Sequence, residues 1–113
     1  NLIIRKNYFN KYLKMSIKEN ENILMNKIIY DQDISEKDVF ELTLFFNRIK
    51  SFSKNHNDYS SISQTISFYW LKSIINFNSV NLKSFKLIAK NINLISLKIF
   101  FNPFYIKKIL YRI

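Results

Sequence analysis

Cysteine is missing from this 113-residue chain. That excludes disulfides, thiolate metal sites and cysteine catalysis. Glycine is missing as well, where an average usage near 7% would supply about eight. Glycine-rich phosphate loops, dinucleotide fingerprints and nucleophile elbows go with it. The chain is therefore read as non-enzymatic, with no cofactor. Long uncharged runs are absent too. The longest spans Tyr59–Leu71, short of the ~18–20 residues a helix needs to cross a bilayer, so no transmembrane span is expected. Acidic residues are absent from the whole second half. Residues 1–58 hold all eight acids and ten bases, whereas residues 59–113 hold eight bases and no acid.

What is present is as skewed as what is not. Ile, Asn, Lys, Phe, Tyr and Met make up 69 residues, and Gly, Ala, Arg and Pro together only 5. The first set is read from AT-rich codons and the second from GC-rich ones. Arg and Ala suit a basic helical protein at least as well as Lys and Ile, so protein physics does not produce this split. Mutational bias in a very AT-rich genome does, as in an organelle, a reduced symbiont or an AT-rich protist. The formal net charge is +10. A half of the chain without carboxylates is an electrostatic footprint for a polyanion. With 48% apolar and 17% aromatic residues, the chain carries enough large side chains to bury a core.

The hydrophobic period is helical nearly throughout. Tyr8, Phe9, Tyr12 and Leu13 suggest a helix over about 6–17, and Ile23, Leu24, Ile28 and Ile29 a second over about 21–30. Ser35, three residues before Asp38, predicts the start of a third helix through a reciprocal cap. Val39, Leu42, Phe45, Phe46 and Ile49 form its inner face. Residues 51–61 read as a polar loop. A fourth helix, capped by Ser60 or Ser61, turns Ile62, Ile66, Tyr69, Trp70 and Ile74 inward. A break is expected at 76–79. A fifth helix over about 81–91 has Leu82, Phe85, Ile88, Ala89 and Ile92 inward and Lys83, Lys86 and Lys90 on another stripe. Pro103 reads as a stop, with a final turn or extended tail beyond it. The fold class is thus all-α: a small irregular domain of about five helices over residues 1–92, with a basic, aromatic-rich extension over 93–113.

Few residues offer site chemistry. His56 is the only histidine and lies in the polar loop without partners at ligand or catalytic spacing, so it reads as a solvated side chain. Asp31, Asp33, Glu36 and Asp38 lack the glycine and twelfth-position Glu of a calcium loop, and read as helix-capping acids. Trp70 and Tyr69 fall on the inner face, which leaves Phe68 as the aromatic for base stacking. The basic residues of the second half are the candidate RNA contacts: Lys72, Lys83, Lys86, Lys90, Lys98, Lys107, Lys108 and Arg112. Lysines give point-charge attraction to phosphate and little base readout, so the implied binding is positional.

The helix order resembles that of the small-subunit ribosomal protein thirteen family. Asn22-Ile-Leu24 followed by Ile28-Ile29 stands where that family has a short AxxIL helix. Ile34-Ser-Glu36, with Val39 and Leu42, matches its Ser-capped LSEEQI helix. Leu71-Lys-Ser-Ile-Ile75 is similar to IKRL, Asn81-Leu-Lys83 to RGLR, and Leu87-Ile-Ala-Lys-Asn91 to LPVRG. The family's glycine hairpin and most of its tail arginines have no counterpart. Phe85-Lys-Leu-Ile-Ala89 also resembles the FRxLA helix of the ribosomal protein fourteen family. Either resemblance implies a structural protein in the head of a small ribosomal subunit. Its partners would be rRNA, neighbouring ribosomal proteins, and tRNA near the C-terminal extension around Lys90. With the AT-rich composition, the expected setting is a mitochondrial ribosome in the matrix. The competing expectation is an accessory subunit of an organellar inner-membrane complex. In that case the aromatic-rich stretch 99–110 would meet protein or membrane and its lysines anionic lipid.

Overall fold

The computed structural model describes the backbone of residues 2–78 and 82–112, and side-chain surroundings for residues 8–77 and 86–109. Six α-helices run in chain order: α1 (Leu2–Leu13), α2 (Glu19–Ile29), α3 (Glu36–Ser53), α4 (Tyr59–Asn78), α5 (Leu82–Lys90) and α6 (Pro103–Arg112). Two 3-10 turns, Ile92–Leu94 and Leu97–Phe101, lead from α5 to α6. There is no β-strand among the described residues. The fold class is the all-α one expected.

The helix starts follow local chemistry. Ser35 Oγ accepts from the Asp38 amide and Asp38 Oδ2 accepts from the Ser35 amide, both at 3.1 Å. This is the reciprocal cap expected of α3. At α2 the Glu21 carboxylate accepts the Lys18 amide at 2.8 Å. Helix ends that usually recruit glycine are made without it. Asp31 follows α2 at φ 55°, and the amides of Asp31 and Gln32 return to the carbonyls of Ile28 and Lys27. That pair of bonds is the Schellman arrangement, with Asp in the left-handed position. Lys14 takes φ 54° after α1.

The α3–α4 pair forms the centre, and α1, α2, the 3-10 turns and α6 pack around it. Trp70, Phe45, Phe46, Leu42, Ile28 and Met15 are fully enclosed. The Trp70 indole N–H donates to Thr43 Oγ1 at 3.0 Å, and the Thr43 hydroxyl donates to the Val39 carbonyl at 2.8 Å. This satisfies the indole N–H and the hydroxyl that meet between α3 and α4. Arg48 ties α3 to α2 through Glu21 at 2.6 Å and the Ser16 carbonyl at 3.0 Å.

Several boundaries differ from the expectations, each for a local reason. Helix α3 continues to Ser53 and α4 begins at Tyr59, so the loop is only residues 54–58. Helix α4 runs through the expected break at Asn76 as far as Asn78, and residues 79–81 lie outside the described residues. The first helix stops at Leu13, at the left-handed turn of Lys14. Pro103 opens α6, a position where its missing N–H costs nothing. Residues 93–113, expected as an extension, place Leu94 and Ile99 fully inside the core. Ser67 Oγ donates to the Leu94 carbonyl at 2.6 Å and accepts the Ser96 amide at 2.5 Å, fixing that passage. On α5 and just after it, Ala89 and Ile92 point outward, and Leu87 and Ile88 are the half-buried pair.

Candidate nucleic-acid interface

Helix α6 lies along α4, and α2 approaches the same side of α4. Between them runs an open groove of about 590 Å³ lined by Ile29, Phe68, Tyr69, Lys72, Phe104, Lys107 and Lys108. Three of the eight candidate basic residues, from two separate stretches of sequence, therefore meet in one groove. Its α6 wall follows from spacing: Phe104 and Lys108 are one turn apart on the same face. The Lys108 ammonium sits 4.2 Å from the Phe104 ring centroid. The rings of Phe68 and Tyr105 pack at 5.1 Å and seat α6 on α4.

The three lysines are not equivalent. Lys107 and Lys108 are exposed. Lys72 is buried, and its ammonium pairs with Asp31 Oδ1 at 3.1 Å. It also lies 6.0 Å from the centroid of Tyr69. The sequence half with eight bases and no acid thus borrows a carboxylate from the other half, at the left-handed turn that ends α2. Lys72 contacts phosphate only if that carboxylate yields. The remaining candidates are dispersed. Lys86 and Lys90 are exposed on α5. Lys83 and Arg112 belong to α5 and α6, and their side chains lie outside the described residues. Lys98 donates to Ser60 Oγ at 2.9 Å and does not line the groove.

The aromatic expectation needs correction. Phe68 is 5% exposed, because α6 covers it. It forms the floor of the groove and is not free to stack on a base. Phe104, exposed at the rim, is the ring available for that purpose, with half-buried Tyr69 beside it. Trp70 is in the core, as its face on α4 implied. His56 is satisfied locally: its Nδ1 accepts the Asp58 amide at 3.0 Å and its ring packs 5.2 Å from that of Tyr12.

Asp31 and Asp38, at the two ends of the acidic stretch, have separate partners. Asp38 accepts from Lys27 Nζ at 3.1 Å as well as from Ser35. Partial burial works against its charge, but the Ser35 amide and Lys27 more than offset it and hold the carboxyl below its ordinary value. Tyr8 moves the other way: burial, with Tyr12 and Asp58 nearby, raises its phenol. Among the described residues no three His, Cys, Asp or Glu side chains gather as a metal site, and no helix is long and apolar enough to cross a membrane.

Sequence reasoning missed two things here. One is α6, and with it Phe104 and the pairing of Lys108 with an aromatic wall; Pro103 at a first helical position was the signal for it. The other is a second basic zone around Lys50, Lys54 and Lys98. No family model, no curated protein and no solved structure matches this chain.

Proposed function

We propose that the chain is a structural RNA-binding protein, and that its setting is the small subunit of an organellar, mitochondrial ribosome. The observation that carries the RNA reading is the groove in which Lys107 and Lys108 stand beside the exposed ring of Phe104, over Tyr69 and Lys72. Cations that neutralise phosphate, set beside an aromatic face that accepts an unstacked base, are the two elements of single-stranded or loop RNA binding. Lys86 and Lys90 add exposed positive charge on α5. The ribosomal setting is supported by the AT-rich composition and by the helix order that resembles the ribosomal protein thirteen family. The role is positional: lysines neutralise backbone phosphates and release counterions, fixing rRNA segments without reading their bases.

The test is the salt dependence of RNA binding. Each phosphate neutralised contributes about 0.7–0.9 to the slope of log K against log salt. Changing Lys107 and Lys108 to Gln should lower the slope by about 1.4–1.8 and weaken different RNA sequences alike. An unchanged slope would remove the groove from the interface. Sedimentation of the native protein with small ribosomal subunits tests the setting.

A second reading, the accessory subunit of an inner-membrane complex, is favoured by one observation. Leu97, Phe100, Phe101 and Phe104 are all exposed, Phe101 by 85%. Clustered apolar exposure of this kind marks a contact surface. Co-purification with solubilised inner membrane, in place of ribosomal subunits, would favour this reading.

A further inference from the structure

On another face, the N-terminal end of α4 meets the C-terminal end of α3 and the 3-10 passage. Two adjoining hollows of about 660 and 220 Å³ lie there and share Lys50 and Tyr59. Lys54 lines the first, and Ser60, Ser63 and Lys98 line the second. No carboxylate lines either one. The ammonium groups rest on neutral oxygens: Lys50 donates to the Asn93 carbonyl and Lys98 to Ser60 Oγ. Each ammonium has three donors, so their charge is neither neutralised nor fully used. The first turn of α4 carries no acidic side chain, and a helix start presents amides and positive dipole to an anion. Asp58 immediately precedes α4, and it lines a different hollow beside Tyr8.

One further observation singles this place out. Ser63, 7% exposed, lines the smaller hollow, and its Oγ is the one buried side-chain polar atom among the described residues without a hydrogen-bond partner. A buried hydroxyl left unpaired is destabilising, and such orphans are few in native folds. An acceptor that enters the hollow would satisfy it.

We propose that the smaller hollow is a phosphate-binding site, in which Lys50 and Lys98 supply charge, with Lys54 adding to the field from the adjoining hollow, and the hydroxyls of Ser60 and Ser63 donate hydrogen bonds. A tetrahedral oxyanion fits the set, since it accepts several donors at once and needs no partner acid. The site stands apart from the groove of Lys107 and Lys108, so it does not depend on RNA occupying that groove.

The experiment is a titration of the full chain with inorganic phosphate, read by backbone amide chemical shifts, against chloride at matched ionic strength. The expected result is saturable, phosphate-specific movement of the Ser60, Ser61 and Ser63 amides. Lys98→Gln should weaken it about tenfold, the loss of one charge-assisted hydrogen bond. Ser63→Ala should weaken it as well while leaving thermal stability equal or higher, because it removes an unpaired hydroxyl. A residue that merely packs would not divide stability from affinity in this way. The Lys107→Gln, Lys108→Gln double variant should bind phosphate as the parent does, which separates failure of this site from failure of the groove. Shifts that chloride reproduces, or that survive both Lys98→Gln and Ser63→Ala unchanged, would overturn the proposal. Addition of oligouridylate to the phosphate-saturated protein then separates the sources. Displacement identifies a phosphodiester of RNA as the occupant and retention a free phosphate or phosphomonoester; either result supports the site.

Discussion

The pair Lys72–Asp31 offers the sharpest test of how the groove is built. Lys72 is buried to 5% exposure while Asp31 is exposed, and they meet at 3.1 Å. At an effective dielectric constant of about 20, direct attraction at that distance is about 5 kcal/mol. Most of it offsets the cost of taking the ammonium out of water, so the pair itself adds little net stability. The two ways of breaking it are nevertheless unequal. Asp31→Asn leaves a buried cation without its counter-charge. Asparagine tolerates the left-handed backbone at φ 55°, so the substitution tests the charge and not the turn. The expected loss is about 2 kcal/mol, below the ~3–5 of a fully buried pair because one partner is exposed. Lys72→Met removes the buried charge, keeps much of its bulk, and leaves no desolvated cation behind, since Asp31 is exposed. Its cost should be about 1 kcal/mol or less. The double variant should resemble Lys72→Met alone, giving a coupling of about 2 kcal/mol, the whole cost of Asp31→Asn. Urea unfolding of the four proteins measures it, with the Asp31→Asn midpoint about 1–2 M lower if the slope is unchanged. RNA affinity per folded molecule should rise in Asp31→Asn, since the carboxylate beside the groove no longer opposes phosphate. If Lys72→Met costs as much as Asp31→Asn, or if the two effects simply add, the argument from a desolvated cation is refuted.

Other expectations rest on single contacts. Ser35→Ala should cost about 1 kcal/mol by removing the cap of α3 and leave RNA affinity of the folded protein unchanged, as measured by denaturation and binding in parallel. Thr43→Val keeps shape but strands the Trp70 indole N–H in the core, and should cost about 1–3 kcal/mol by the same denaturation assay. Asp38 contributes to the acid limb of stability. Its folded-state carboxyl lies below the ordinary value, so its contribution is present above the unfolded pKa and is lost as pH falls through the folded one. Asp38→Asn should flatten stability against pH below about 4, and a limb of unchanged steepness would show that other carboxylates govern it. Lys14→Gly should raise the urea midpoint, by relieving a left-handed lysine at φ 54° at about 1–2 kcal/mol against about 0.5–1 kcal/mol of added freedom in the unfolded chain; an unchanged or lower midpoint would refute the strain.

How much of this could be read from the sequence depends on the range of the signal. The α3 start was legible because Ser35 and Asp38 are three residues apart and satisfy one another. The inner faces of α3 and α4 were legible because Val39, Leu42, Phe45 and Phe46, and likewise Ile66, Trp70 and Ile74, repeat with the helix. The failures are of two kinds. Loop length was misjudged where polar residues continue a helix: Ser51 and Ser53 lie within α3, and Ser53 Oγ returns to the Lys50 carbonyl. Side-chain fates set across long sequence distance were not legible at all. Nothing local to Phe68 says that α6 will cover it, nothing local to Lys72 says that Asp31 will meet it, and nothing near Lys50 announces Lys98. Among the described side chains, the fold sorts the candidate basic residues into a groove (Lys72, Lys107 and Lys108), exposed positions on α5 (Lys86 and Lys90) and a serine-lined hollow (Lys98).

Asp31 joins the compositional bias to the electrostatics of the groove. A chain without glycine must make its left-handed helix ends with other residues, and asparagine and aspartate bear that conformation at least cost. At the end of α2 the choice is aspartate, and the same turn that reverses the chain carries its carboxylate to Lys72. One residue therefore closes a helix and neutralises a buried cation. Asp31→Gly would suit the backbone better yet leave Lys72 uncompensated, whereas Asp31→Asn would preserve the turn and lose only the charge. The two substitutions should both destabilise, although for backbone conformation alone glycine should help. A net gain from Asp31→Gly would mean that the turn outweighs the ion pair at this position. A loss similar to that of Asp31→Asn would mean that the carboxylate is held there for Lys72, so that this acid beside the groove serves burial of its innermost lysine and leaves Lys107 and Lys108 as the groove's exposed charge.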